Sequence, residues 1–367
     1  MLIPRDEVEL SEMIRAARRP LAVGGGFTRG MAAEGERLST SALSGIVLHE
    51  PGALTLVAKA GTPVAEVERV LGEAGQRLAF EPPDLRALLG TTGEPTIGGV
   101  IATNASGPRR VQAGAARDFL LGMRFVDGTG MAVSNGGRVM KNVTGLDLAR
   151  LLAGSHGTLG VVTEVALKVL ARPEATVTVT LRGLDVARAV EAMSAALGSP
   201  FDVSGAAHDA EGGATHLRLE NFADAARSRG ERLAGLLRRW GTAGVAEGPG
   251  PWAGVRDVLD FAGRPGDVWR LSVRPSAMPE ALALAGGAQR LDWGGGRAWV
   301  LVPEGTDLRG RLGPFGARAV LVRAGAETRA ALGTFPAEAA PVAMLSQRLR
   351  ERFDPRGLLN PGLMAAA

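Results

Sequence analysis

The chain of 367 residues has no cysteine and no tyrosine. Lacking cysteine, it has no disulfide, thiolate metal site, iron–sulfur ligation, thiol nucleophile or cysteinyl attachment to a ligand. No metal site is expected. Aromatic residues are only 4% of the total, and lysine stands only at Lys59, Lys141 and Lys168, so arginine carries nearly all the positive charge. The densest basic patches, Arg109-Arg110 with Arg117 and Arg348 to Arg356, are short. The second is broken by Glu351 and Asp354, and no aromatic ladder runs beside either. With a net charge of +4, this argues against a nucleic-acid partner. No run approaches the roughly 18–20 apolar residues that cross a bilayer. Met1 to Met13 carries Asp6, Glu7, Glu9 and Glu12 without an apolar core, so no secretory signal and a cytoplasmic setting are expected.

Hydrophobic residues make up 46% of the chain and charged residues 22%, ordinary values for a globular protein of two or three domains. Leu10, Met13, Ile14 and Ala17 share one helical face, with Asp6 placed to cap it. Leu21-Ala22-Val23 reads as a short strand running into Gly24-Gly25-Gly26. Leu54 to Ala60 reads as a second strand. It ends where Thr62 is expected to cap, and Pro63 to open, a helix that buries Val64, Val67 and Leu71 and stops at Gly75. Further strands are expected at 77–80, 119–126, 131–134 and 159–169, with a hairpin turn at Gly128-Thr129-Gly130. Arg172-Pro173 reads as a boundary. Beyond it, strands near 177–181, 215–220, 267–273, 297–302 and 318–323 mix with helices near 185–197, 222–238 and 279–285. The rhythm predicts an α+β domain with helices on one face of an antiparallel sheet. A last helix is expected from Met344 to Phe353. No internal repeat is visible.

Three segments stand out chemically. In the first, Gly24-Gly25-Gly26-Phe27-Thr28-Arg29 follows a strand, so successive backbone N–H groups can form a nest for phosphate oxygens, with a hydroxyl and a charge beside it. Its spacing matches neither the dinucleotide fingerprint nor a P-loop, and a plain glycine turn is the simpler alternative. The second is Pro82-Pro83-Asp84 followed by Thr96-Ile97-Gly98-Gly99-Val100-Ile101-Ala102-Thr103-Asn104-Ala105-Ser106-Gly107. Small residues here let a large flat ligand approach the backbone; a glycine-rich loop over the core is the alternative. The third is Gly154-Ser155-His156-Gly157-Thr158-Leu159-Gly160-Val161-Val162. Its lone His156 is more often structural than catalytic.

Taken together, in order and spacing, these segments resemble the FAD-binding domain of the vanillyl-alcohol-oxidase (PCMH-type) flavoproteins. The run Val139-Met140-Lys141-Asn142-Val143-Thr144-Gly145-Leu146-Asp147-Leu148 is similar to the same family, except that Leu146 stands where tyrosine is usual. So is the tail Phe353-Asp354-Pro355…Leu359-Asn360-Pro361-Gly362. Within the family, Ser106-Gly107-Pro108-Arg109-Arg110 with Arg117-Asp118-Phe119, and Trp269-Arg270-Leu271-Ser272 with Asp292-Trp293-Gly294-Gly295, resemble the E subunits of bacterial glycolate oxidases.

The resemblance implies a two-subdomain α/β FAD-binding domain over 1–172, an α+β cap or interaction domain over 173–340, and a return of 341–367 to the first. It also implies FAD held by Gly24, Gly25, Gly26, Phe27, Thr28 and Arg29, by Pro82 and Pro83, by Thr96, Gly98, Gly99, Ala102, Thr103, Asn104, Ser106 and Gly107, by Gly154, Ser155, His156, Gly157, Gly160, Val161 and Val162, and by Asn360. The implied role is that of a subunit in a complex oxidising glycolate or a related 2-hydroxy acid. Its partners would be a second FAD-binding dehydrogenase subunit and an iron–sulfur subunit, with any contact to the inner membrane made through them.

Oxidising a hydroxy acid needs a base and a carboxylate-binding cation. The family's self-sufficient dehydrogenases have a late histidine set, whereas here the last histidine is His216. Arg270, Arg274 or Arg323 as carboxylate ligand and Asp292 as base compete with an ordinary reading as surface charges. The FAD is therefore expected to be non-covalent, with no cysteine and no histidine in the glycine loop, and the catalytic residues stay unassigned. A stand-alone flavin dehydrogenase and a structural subunit that has lost flavin are the rival readings.

Overall fold

The computed structural model describes residues 1–31, 33–138 and 145–364, so Val139 to Thr144 of the linking motif lie outside the described residues. The chain divides into two units. The first comprises Met1–Ser106, Ala115–Arg172 and the segment from Ala337 onward; the second comprises Gly107–Gly114 and Pro173–Pro336.

The first unit opens with a helix over Glu7–Ala16, where Asp6 Oδ1 accepts the Glu9 N–H at 2.8 Å and Leu10 and Ile14 are buried. Its strands are β1 (Leu21–Gly24), β2 (Glu36–Ser39), β3 (Ile46–Glu50), β4 (Thr55–Lys59), β5 (Gln76–Arg77), β6 (Leu120–Val126), β7 (Ala132–Gly136), β8 (Val161–Lys168) and β9 (Leu170–Ala171). β1 and β2 pair in parallel, and five strands form an antiparallel sheet in the order β3-β4-β8-β6-β7. The Gly128-Thr129-Gly130 turn joins β6 to β7 as expected. Asp127 Oδ1 takes the N–H groups of Thr129 and Met131, and Gly130 supplies a φ of +83°. β2, β3 and β9 have no counterpart in the sequence reading. The strand expected over 77–80 shrinks to two residues.

One local expectation needs correction. Thr62 does not cap the next helix, Val64–Glu73, whose N-cap position is Pro63. The Thr62 hydroxyl is fully buried and bonded to the backbone of Gly45 and Lys59, so it is spent on the preceding turn. The Thr96 segment, for which a glycine-rich loop is the alternative reading, opens as a helix, Ile97–Ala102: Thr96 is its N-cap, accepting the Gly99 N–H. A capping hydroxyl and a buried Ile97, Val100 and Ile101 outweigh the poor helix propensity of Gly98-Gly99.

One core cluster of the first unit gathers Leu10, Ile14, Leu21, Leu38, Leu43, Val126, Val161 and Leu359. It joins the first helix, β1, β2, β6, β8 and the C-terminal segment. That segment is tied in by backbone: Leu21 N–H donates to Leu358 O at 2.7 Å and Asn360 N–H to Leu21 O at 3.0 Å. Arg356 donates to Ile14 O, at the end of the first helix, and to Gly128 O.

The second unit contains β10 (Ala175–Arg182), β11 (Val203–Asp209), β12 (Ala214–Asn221), β13 (Ala243–Glu247), β14 (Asp267–Ser272), β15 (Ala288–Asp292), β16 (Arg297–Val302) and β17 (Arg318–Arg323). They form one antiparallel sheet in the order β13-β10-β12-β11-β15-β16-β14-β17. With the helices Val186–Leu197, Ala223–Leu236, Met278–Ala285 and Leu308–Leu312, each half reads strand–helix–strand–strand–helix–strand. The strand order of one half is the mirror of the other, so this unit is a topological duplication, contrary to the reading that found no internal repeat. In the sheet the halves join where β11 pairs with β15, at His208↔Leu291 and Asp209↔Arg290. At that seam Arg290 pairs with Asp209, Glu211 and Asp260. A core that includes Val179, Met193, Leu217, Trp269, Leu282 and Val300 lies between the sheet and the helices.

Candidate functional site

The three glycine-rich segments meet around one cavity in the first unit. Its open space amounts to about 1080 Å³, mouth included. Of the expected residues it is lined by Gly24, Gly25, Gly26, Phe27, Thr28 and Arg29, then Thr96, Gly98, Gly99, Ala102 and Thr103, then His156, Gly157, Gly160, Val161, Val162 and Asn360. Ala22, Val23, Met31, Ala33, Arg37, Thr40, Pro95 and Leu363 complete the lining without having been expected.

The segments are held together by specific contacts. The first meets the second by backbone approach: a Cβ built on Gly26 would stand 1.9 Å from the Glu94 carbonyl oxygen, and one on Gly25 would stand 2.1 Å from Thr96 Oγ1. The second meets the third by hydrogen bonds, Gly154 N–H to Ile101 O at 3.2 Å and His156 N–H to Ala102 O at 2.8 Å. The third meets the first through Asn360. Its Oδ1 accepts the Val23 N–H at 2.7 Å, and its Nδ2 donates to Val23 O and His156 O. Three lining residues other than glycine, Phe27, His156 and Asn360, hold φ values of 53°, 54° and 46°. Such left-handed residues cost about 1–3 kcal/mol each and persist where the surroundings impose them, as at ligand sites.

The donor set fits a phosphate-bearing ligand. Among the described residues, no acceptor takes the N–H of Gly25, Gly26, Phe27 or Thr28. Four consecutive unsatisfied amides along a cavity are the makings of an anion nest. The rest of the lining is apolar or small, as a large planar ring system requires.

The remaining expected residues stand behind the wall or elsewhere. Pro82 and Pro83 are buried outside the lining. Asn104 Oδ1 accepts the Arg117 N–H and Ser106 Oγ the Ala116 N–H, so both fold the chain back toward β6. Gly154, at φ +93°, and Ser155 shape the turn before His156. Gly107 belongs to the second unit, where its carbonyl accepts from Trp293 Nε1 at 3.0 Å. The reason is the next side chain but one: Arg109, buried, forms a two-point pair with Glu220, which also takes a bond from Ser204 Oγ.

Two of the charges considered for substrate, Asp292 and Arg323, are engaged within the second unit. Asp292 is no surface charge: it is 1% exposed and paired with Arg297 at 2.5 Å. Burial pushes its carboxyl above the usual range even against Arg297. Arg323 donates to the carbonyls of Phe261, Arg264 and Gly266. His208 and His216 bond to Thr215 and Thr180 within the second unit's sheet.

Residues 1–136 match the family described as FAD binding domain. The chain is 34% identical over 354 residues to glycolate oxidase subunit GlcE of Escherichia coli (strain K12), covering 95% of this chain and 93% of that one. The chain belongs to the GlcE family of FAD-binding flavoproteins. A shorter likeness, 36% identity over 121 residues, covers 33% of this chain and 24% of glycolate oxidase subunit GlcD of Bacillus subtilis (strain 168). A solved structure of alkyldihydroxyacetonephosphate synthase superposes with a TM-score of 0.70 at 14% identity, over 98% of this chain and 76% of that one. The GlcE-family chain therefore has the expected fold class, α+β with a PCMH-type FAD-binding domain and a large antiparallel sheet beyond it. It is a member of an FAD-dependent oxidoreductase family, and its cofactor is FAD.

Proposed function

We propose that this chain is the FAD-binding subunit of a glycolate-oxidase-type complex that oxidises glycolate or a related 2-hydroxy acid, and that it holds FAD non-covalently. The near-full-length likeness to a glycolate oxidase subunit carries this reading. When bound, FAD supplies a two-electron acceptor. The chain's own residues bind and orient it. The N–H groups of Gly25 to Thr28 receive the diphosphate. Thr96, Gly98, Gly99, Ala102, Thr103 and the turn from His156 to Val162 flank the ring system, and Asn360 holds the two sides together. In this reading 1–172 form the FAD-binding domain, 173–340 a cap or interaction domain and 341–367 the returning C-terminal segment.

Non-covalent attachment is supported by the absence of cysteine and by a glycine loop without histidine. His156 is the one histidine lining the cavity. Acid precipitation checks this: the yellow colour is expected to stay in the supernatant, and colour in the pellet would overturn it.

The partners are a second FAD-binding dehydrogenase subunit, which oxidises the substrate, and an iron–sulfur subunit, which takes electrons onward. The likeness to a subunit of a named oxidase supports an assembly, and so does the shared segment with a second subunit of the same name. The histidines other than His156 are His49, bonded to Gln76, and the pair in the second unit's sheet. No helix among the described residues is long and apolar enough to cross a membrane, in keeping with a cytoplasmic chain that meets the inner membrane only through partners. Two measurements decide the matter. The purified chain is expected to show flavin absorbance between 350 and 500 nm, yet to turn over glycolate with a dye acceptor only when partner subunits are added. Colourless protein would favour a structural subunit, and robust turnover alone would favour an autonomous dehydrogenase.

A further inference from the structure

We infer that Arg37, at a position outside every glycine-rich segment, supplies the cation that neutralises the cofactor's diphosphate. The inference rests on the FAD reading above. The nest of Gly25 to Thr28 offers dipoles but no full charge, and a diphosphate linkage carries a negative charge on each phosphorus. Two arginines line the cavity, Arg29 and Arg37.

The charge of Arg29 is already opposed. Asp84 is pushed up by burial, but Arg86 and then Arg29 more than offset this and hold its carboxyl below the usual range. Arg86 is itself shared between Asp84 and Glu94. The two cations and two carboxylates of this group cancel.

Arg37 is different. It lies on β2, is exposed while lining the cavity, and among the described residues no carboxylate pairs with it. What places its guanidinium is the ring of Phe27, 5.1 Å from Arg37 Cζ to the ring centroid. That ring lies across Gly24, where an added Cβ would come within 2.7 Å of it. Glycine, ring and guanidinium are thus stacked, and the cation is stationed beside the nest by a platform that competes for none of its hydrogen-bond donors. Arginine suits the task because its planar fork meets two phosphate oxygens at once.

The test compares flavins with and without the diphosphate. Apo-protein is titrated with FAD and with riboflavin, by quenching of flavin fluorescence, for the wild type, Arg37→Met and Arg37→Lys. Methionine keeps a stem against Phe27 and removes the charge. The expected result is FAD binding weakened roughly ten-fold in Arg37→Met, largely recovered in Arg37→Lys, with the gap closing at high salt and riboflavin affinity unchanged. Parallel loss of riboflavin would show that Arg37 only shapes the loop, and unchanged FAD affinity would show that it does nothing for the ligand; either result overturns the inference. Failure of the wild type to bind either flavin would remove the cofactor reading and Arg37's role with it, whereas failure confined to the variants' predictions leaves the cofactor in place.

Discussion

The side-chain amide of Asn360 closes on the main chain of Val23 from 337 positions away, accepting its N–H and donating to its carbonyl. One further bond, to His156 O, makes this amide the tie between the glycine loop, the third turn and the C-terminal segment. Asn360 Oδ1 and Nδ2 are both engaged with backbone, so its side chain holds the walls of the cavity in place. Asn360→Ala is expected to leave three half-buried backbone groups without this partner and cost about 1–3 kcal/mol of stability. The melting temperature with and without added FAD checks this. A drop seen only without FAD would assign Asn360 to the empty cavity's shape, and no drop would refute the clasp.

Gly26 is required by close approach. Gly26→Ala would drive a methyl group into the Glu94 carbonyl and separate the first segment from the second. Purified Gly26→Ala should lack the flavin band. Gly52→Ala is the control, since no atom lies within 4 Å of a Cβ there, and it should change stability by no more than about 0.5 kcal/mol. Flavin retained by the Gly26 variant would count against the loop geometry.

His208 makes the second unit acid-sensitive. Burial pushes its imidazole from 6.5 down to about 4, with Asp209 pulling weakly the other way. Because the unfolded chain takes up the proton first, the folded state is at full advantage above about pH 6.5. It loses that advantage as pH falls from there toward 4, by about 3 kcal/mol in all. Urea midpoints measured across this range should fall for the wild type and fall less for His208→Asn. Equal slopes would remove His208 as the cause.

Asp292 and Arg297 form a buried pair, so breaking it from one side should be far worse than removing it whole. Arg297→Met alone should cost about 3–5 kcal/mol, and the double variant Asp292→Asn with Arg297→Met should regain much of that. A double-mutant cycle by chemical denaturation reads the coupling. Additive losses would mean that the two charges are stabilised independently.

Much of the first unit was legible because its signals are local. Asp6 caps, Gly128-Thr129-Gly130 turns, and Leu10 with Ile14 face inward, each through neighbours a few positions away. The cavity lining was legible for a related reason: glycines that no helix or strand needs mark where backbones or ligands approach. Arg37 was missed because it sits on a strand outside the three glycine-rich segments, where one isolated glycine, Gly35, does not mark a ligand site. Thr62 was misassigned because a hydroxyl beside a helix start caps it only if the preceding turn leaves it free, and Gly45 lies 17 residues earlier.

The duplication of the second unit left no trace that pattern reading could find. Two halves can share strand order while their side chains diverge, because antiparallel pairing is made by backbone groups common to all residues. Residue order alone determined many of the strands, helices and turns, the supply of glycine amides, and the absence of any thiol chemistry. Only the tertiary structure decided that Val23, His156 and Asn360 meet, that Gly107 leaves the first unit in the wake of buried Arg109, and that Arg37 rather than Arg29 keeps an uncancelled charge at the cavity. Those are outcomes of long-range packing, in which a side chain's role depends on partners that sequence distance does not reveal.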